Sequence, residues 1–143
     1  MQTISDAVLS ALAAAYFGRV AAQGPATLYA AFVYDATGPL AGGTEVSTSG
    51  TNYSRTTIPN DQSTGFNAPS GSGGTLAVTT KSNIVGPRST AAWGAVNCVR
   101  LYDAATNGNL LAGAILNPTV TVDAAGITIT LEAGQVSFTL ASA

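Results

Sequence analysis

The residues able to do chemistry are few, and their spacing assembles no familiar centre. Cys98 is the single cysteine, and the chain contains no histidine. A catalytic thiol needs a base beside it, so Cys98 reads as a small buried hydrophobe in a strand. With one cysteine there is no internal disulfide. The missing histidine also removes the Ser-His-Asp arrangement and most zinc sites. Asp103, Asn107 and Asn109 sit at alternating positions that suggest a calcium loop, but Ala105 interrupts the ligand pattern and no distant glutamate completes it. The seven acidic residues are scattered and define no carboxylate pair for glycoside hydrolysis. Tyr29, Tyr34, Tyr53, Tyr102 and Trp93 could line a sugar site, although aromatics spread over a β-domain more often serve its core and rim. Arg100 is the odd charge, set between Val99 and Leu101; alternation places it on one face with Cys98 and Tyr102. It is expected either to reach an edge or to meet an acid across an interface. The expectation is no catalytic residues, no metal and no cofactor.

Composition points the same way. The chain has 143 residues, 46% hydrophobic and only 8% charged. That charge content is about a third of the usual ~25%, so Thr, Ser, Asn, Gly and Ala must cover the surface. Such a surface is weakly hydrated and suits contact with another protein. Five basic against seven acidic residues leave a net charge of −2 and no basic stripe for a phosphate backbone, so nucleic acid is not an expected partner. No apolar run reaches the ~18 residues of a membrane span. The Ala-rich run from Ala7 to Phe17 mimics a signal peptide but lacks a positive n-region, and Asp6 stands where Lys or Arg is wanted. It is read as a retained segment of a protein made in the cytoplasm.

The elements that must position these residues are mostly strands. Trp93 to Tyr102 is apolar and bulky, Asp103 to Asn109 is a polar glycine-bearing turn, and Leu110 to Leu116 is apolar again, which is a hairpin signal. Thr27 to Tyr34 reads as a strand apolar on both faces. In the C-terminal third, Val120 and Val122, then Ile127 to Leu131, then Val136 to Leu140 alternate with Thr or Ser, the period of half-buried antiparallel strands. Tyr34 to Leu40 weakly echoes Tyr102 to Leu110, and Asp35 and Asp103 are both expected to accept hydrogen bonds from their own turns. Pro59 to Gly74 reads as a long exposed loop with a short strand near Phe66. One helix is expected over 3–17, with Thr3 as N-cap and Gly18 just past its end. Its apolar stripe of Ile4, Val8, Leu12 and Tyr16 would pack on its own domain or dock in part on a neighbouring subunit. The chain is read as one domain, 1–143, with a β-sandwich over 26–141. Roughly eight strands, with turns about every 8–12 residues, imply an all-β antiparallel sandwich of jelly-roll type.

Several stretches together resemble a known family. Thr27-Leu-Tyr-Ala-Ala-Phe32, Gly42-Gly-Thr-Glu-Val-Ser47, Tyr53-Ser-Arg55, Trp93-Gly-Ala-Val96 and Leu101 to Leu111 occur in the order seen in small virion proteins of tailed bacteriophages, often labelled tail-fibre proteins. The family's similarity extends to jelly-roll cement proteins that decorate capsids. The resemblance runs from about Ile4 to Leu140; it departs at Cys98-Val99-Arg100, where the family tends to carry His-Phe-Ala. It implies a non-enzymatic structural protein of a phage particle. The leading expectation is a capsid cement or decoration protein on the virion surface, bridging major capsid protein subunits and pairing or trimerising with itself. A tail or tail-fibre component is the alternative, and a carbohydrate-binding module is an alternative of another class. The expected contact residues are Ile4, Val8, Leu12, Tyr16, Phe17 and Arg100, with Pro59–Gly74 as a further contact loop.

Overall fold

The computed structural model describes residues 4–18 and 24–141. The first element is a helix, α1 (Asp6–Gly18), followed by ten strands: β1 (Thr27–Ala36), β2 (Gly42–Glu45), β3 (Thr56–Pro59), β4 (Ser70–Ser72), β5 (Thr75–Thr79), β6 (Ile84–Val85), β7 (Gly94–Tyr102), β8 (Leu110–Val122), β9 (Thr130–Leu131) and β10 (Ser137–Ala141). All pairings are antiparallel. The largest sheet runs β2-β1-β7-β8, with β3 sharing the β2 edge of β1; β10-β5-β4 form a second sheet, and β6-β9 a short ribbon. This is an all-β sandwich with one helix among the described residues.

The hairpin β7–β8 is the structural centre. Trp93, just before β7, is 5% exposed and Leu101 is 3% exposed. Trp93 stacks on Phe32 at a centroid distance of 6.1 Å and meets the edge of Tyr53 at 5.4 Å. Its indole N–H donates to the Thr51 carbonyl at 3.1 Å. Phe66 and Phe138 close the opposite end of the same core, edge to face at 6.4 Å. At the hairpin turn, the Asp103 carboxylate accepts from the Asn109 backbone N–H at 2.7 Å and the Asn109 side chain at 2.8 Å, the turn-closing role expected of it. Asp35 marks its own turn differently, with a φ of 55°.

A bulge in β7 sets which residues face inward. The register shifts between Val96 and Cys98, against both β1 and β8. The extra residue lets both Val96 and Val99 enter the core despite their odd spacing. Asn97 repairs the interrupted ladder: its side-chain oxygen accepts from the Ala36 N–H at 3.0 Å and its amide donates to the Ala36 carbonyl at 2.9 Å.

Three local expectations need correction. The helix begins at Asp6, because Ile4 is an extended residue bridging to Ala112 and the Ser5 N–H donates to the Leu111 carbonyl at 2.8 Å. The Ser5 carbonyl accepts the first helical bond, from Leu9; the expected cap Thr3 lies outside the described residues. The 59–74 stretch is more than a loop. Its Asp61 carboxylate gathers the N–H groups of Ser63 and Thr64 at 2.8 and 2.7 Å, Phe66 is buried and bridges to Thr80, and Ser70–Ser72 pairs with β5. Ile127 to Leu131 alternates as expected, but only Thr130–Leu131 forms a ladder. The carbonyls of Ile127 and Ile129 bond instead to the N–H groups of Ser89 and Gly86, which hold Ile129 in the core.

Candidate interaction surface

The expected contact residues do not form one patch. Ile4 belongs to the core, held by its bridge to the rim strand β8. Val8 leans partly on that core. From there α1 leaves the domain: Leu12 is 45% exposed, Tyr16 84% and Phe17 86%, and no residue of the helix is buried. Alanines at 7, 11, 13, 14 and 15 make the segment a strong helix former without tertiary help, and Asp6 in its first turn suits the helix dipole. Asp6 and Ser10 are its only polar side chains, so apolar residues surround it instead of lining one face. A helix of that kind is normally buried. Thirteen residues extend about 20 Å, and no helix among the described residues is long and apolar enough to cross a membrane. Packing of the whole stripe on its own domain is therefore not what the fold does.

Arg100 is a correction. It lies inside, 8% exposed, and does not extend to an edge. Its Nε donates to the Pro39 carbonyl at 2.9 Å, and Nη2 donates to those of Ala41 and Gly42 at 2.9 and 2.7 Å. These bonds draw the β1–β2 connection across the second face of the large sheet. Gly113, paired with Arg100 in the register, leaves the room this requires, because a side chain there would collide with the Pro39 carbonyl. Cys98 lies under the same loop, its Sγ 3.6 Å from the Pro39 oxygen, and burial pushes its thiol pKa up. An arginine on a two-sided strand thus fastens a loop by donating to carbonyls, the role that five fixed donors permit.

A second polar cluster was not foreseen. Arg55 grips Glu45 with two bonds, Nε to Oε1 and Nη2 to Oε2, both 2.8 Å. Its guanidinium lies 3.7 Å over the Tyr102 ring and donates to the carbonyls of Ala104 and Asn107 in the β7–β8 turn. The Tyr53 hydroxyl donates to Glu45 at 2.9 Å and accepts from the Phe32 N–H at 3.1 Å. Burial pushes the Glu45 carboxyl up, but the bonds from Arg55 and Tyr53 and the guanidinium charge outweigh it and hold the pKa below the ordinary value. Burial, followed by the Glu45 charge, drives the Tyr53 phenol far upward, so it stays protonated. A cleft of about 400 Å³ opens beside the cluster, but its charged groups already satisfy one another. The arrangement clamps β2, β3 and the hairpin together. Only the convergence of Glu45, Tyr53 and Arg55 within eleven residues hinted at it.

The acidic groups of these networks are engaged within the fold. Among the described residues no three His, Cys, Asp or Glu side chains lie together as a metal site. Glu45 is ion-paired, while Asp61 and Asp103 are occupied by their own turns. Of the five aromatics considered for a sugar platform, Tyr53 and Trp93 are core residues.

A family model described as "Podophage GP4 fiber I protein gp80" matches residues 3–139. No curated protein matches the chain at a significant level.

Proposed function

The chain belongs to the podophage GP4 fibre I protein gp80 family, a family of phage virion structural proteins, and on that premise we propose that it is a non-enzymatic component of the fibre apparatus, docked on a larger virion protein through α1. The observation that carries this reading is the helix itself: apolar on all sides, yet with none of its residues buried by its own domain. A partner protein supplies the cover that such a helix normally has. The rigid sandwich then acts as the displayed part, clamped by the Arg55 and Arg100 networks.

A second reading, capsid cement bridging major capsid protein subunits, is favoured by the 8% charge content. A weakly hydrated exterior lies readily against a protein lattice, where many copies make weak single contacts sufficient. Quantifying the protein against the major capsid protein, in whole particles and in tailless heads, separates the two. The fibre reading expects a low copy number that vanishes with the tail. The cement reading expects a copy number scaling with the lattice and retained on heads. In either case Leu9→Ser with Leu12→Ser should leave the sandwich folded and sharply lower the occupancy on particles. Wild-type occupancy of that variant would refute docking through the helix.

A further inference from the structure

The sandwich is open at one end. Leu28, Leu101 and Ala112 of the large sheet face Val78 and Phe138 of the second sheet across a largely apolar cavity of about 390 Å³. Phe66 and Ile4 complete its walls, and Asn60, Gln62 and Asn67 stand at its polar rim. A cavity of ~150 Å³ accommodates one benzene ring, so this one has room for two. Elsewhere on the same chain, Tyr16 and Phe17 stand in solvent as an edge-to-face pair with centroids 5.3 Å apart.

We propose that this cavity receives the Tyr16–Phe17 pair of a second copy of the chain, in a head-to-tail contact between protomers. The pair cannot enter the cavity of its own chain. Ile4, at the foot of α1, already forms part of the wall, and the helical rise carries Phe17 roughly 16 Å further along the axis from Asp6. Phe17 is the apolar member suited to the floor, while the Tyr16 hydroxyl meets the amide side chains of the rim. The contact joins the two segments of the chain expected to meet partners, the helix as donor and the 59–74 loop as part of the acceptor. Because donor and acceptor are different surfaces, successive copies build a closed ring or an open chain, not a twofold dimer. Two buried rings and the walls around them amount to on the order of 500 Å², below the size of a stable specific interface, so weak self-association toward the upper end of the concentration series is expected. The contact uses only the Tyr16–Phe17 end of α1 and leaves Leu9 and Leu12 exposed for the virion partner proposed above.

Sedimentation of the full chain over a micromolar to millimolar series tests it. Wild type should associate reversibly, and Phe17→Ser or Tyr16→Ser, both at exposed positions, should weaken association about 30-fold or more. Val78→Phe, which fills the cavity, should do the same with the fold retained by circular dichroism; Ala112→Phe replaces it if that variant fails to fold. Mixing the Phe17→Ser and Val78→Phe proteins should restore one contact and stop at a heterodimer. A wild type that stays monomeric throughout, an association indifferent to Phe17, or a mixture that forms no heterodimer would each overturn the proposal. The first result would assign the cavity to another protein, and the last would point to a symmetric helix–helix contact.

Discussion

Truncating Trp93 to alanine should remove the centre of the aromatic cluster that it forms with Phe32 and Tyr53. The indole is 5% exposed, stacks on Phe32, meets the Tyr53 edge and donates to the Thr51 carbonyl. Large-to-small changes of buried aromatics cost about 3–5 kcal/mol, including the cavity left behind. The Thr51 carbonyl keeps its second donor, the Thr90 N–H at 3.1 Å, so loss of the indole bond leaves no orphaned acceptor. The expected loss is therefore that range itself, about 3–5 kcal/mol. With an unfolding entropy near ~0.3 kcal/mol/K for this length, Tm should fall by about 10–17 °C. Trp93→Phe keeps a ring against Phe32 and Tyr53 and gives up mainly the N–H bond and some volume, so it should lose only about 1–2 kcal/mol. Urea denaturation with thermal unfolding of the three proteins measures both differences. An alanine loss below about 1 kcal/mol would show that the hairpin is peripheral to the core. Equal losses in the two variants would show that ring packing is not what Trp93 contributes.

Three further outcomes follow from the polar networks. The Glu45 carboxyl titrates below its ordinary value of 4.5 in the folded chain, so its contribution is full above that pH and is lost as pH falls through the depressed folded value. Wild-type stability minus that of Glu45→Gln should therefore shrink on acidification below about pH 4.5, and a constant or growing difference would refute the clamp. Arg100→Met should cost about 2–4 kcal/mol by removing the guanidinium bonds to the carbonyls of Pro39, Ala41 and Gly42, and should speed amide exchange in the β1–β2 connection; unchanged exchange there would mean the loop is held otherwise. Cys98, fully buried with its thiol pKa raised, should resist a thiol-specific disulfide reagent in the native protein and react stoichiometrically once unfolded.

Much of the architecture was legible in the residues because side-chain period is a local property. The run from Trp93 to Leu116 reads as strand, turn and strand, and the Thr/Val and Thr/Ile alternation near the C-terminus correctly marks Val122, Ile129 and Leu131 as inward. The helix is legible because its alanines favour it without tertiary support, and Asp103 as a turn residue because its bonds reach only six positions along the chain. What helix formation does not encode is whether a face will be covered, and tertiary structure leaves Leu12, Tyr16 and Phe17 outside. Arg100 looked like a surface or interface charge because its acceptors lie some sixty residues away, in a connection that only the folded sheet brings across it. The inward places of both Val96 and Val99 depend on the Asn97 bulge, whose interrupted ladder is repaired by two bonds to Ala36, some sixty residues away. Glu45, Tyr53, Arg55 and Tyr102 become one clamp only when β2, β3 and the hairpin turn converge. Composition alone established a protein with little charge to hold water around it. The tertiary structure decided where the uncovered apolar surface lies, because strand partners and loop crossings are chosen by contacts between residues far apart in the chain.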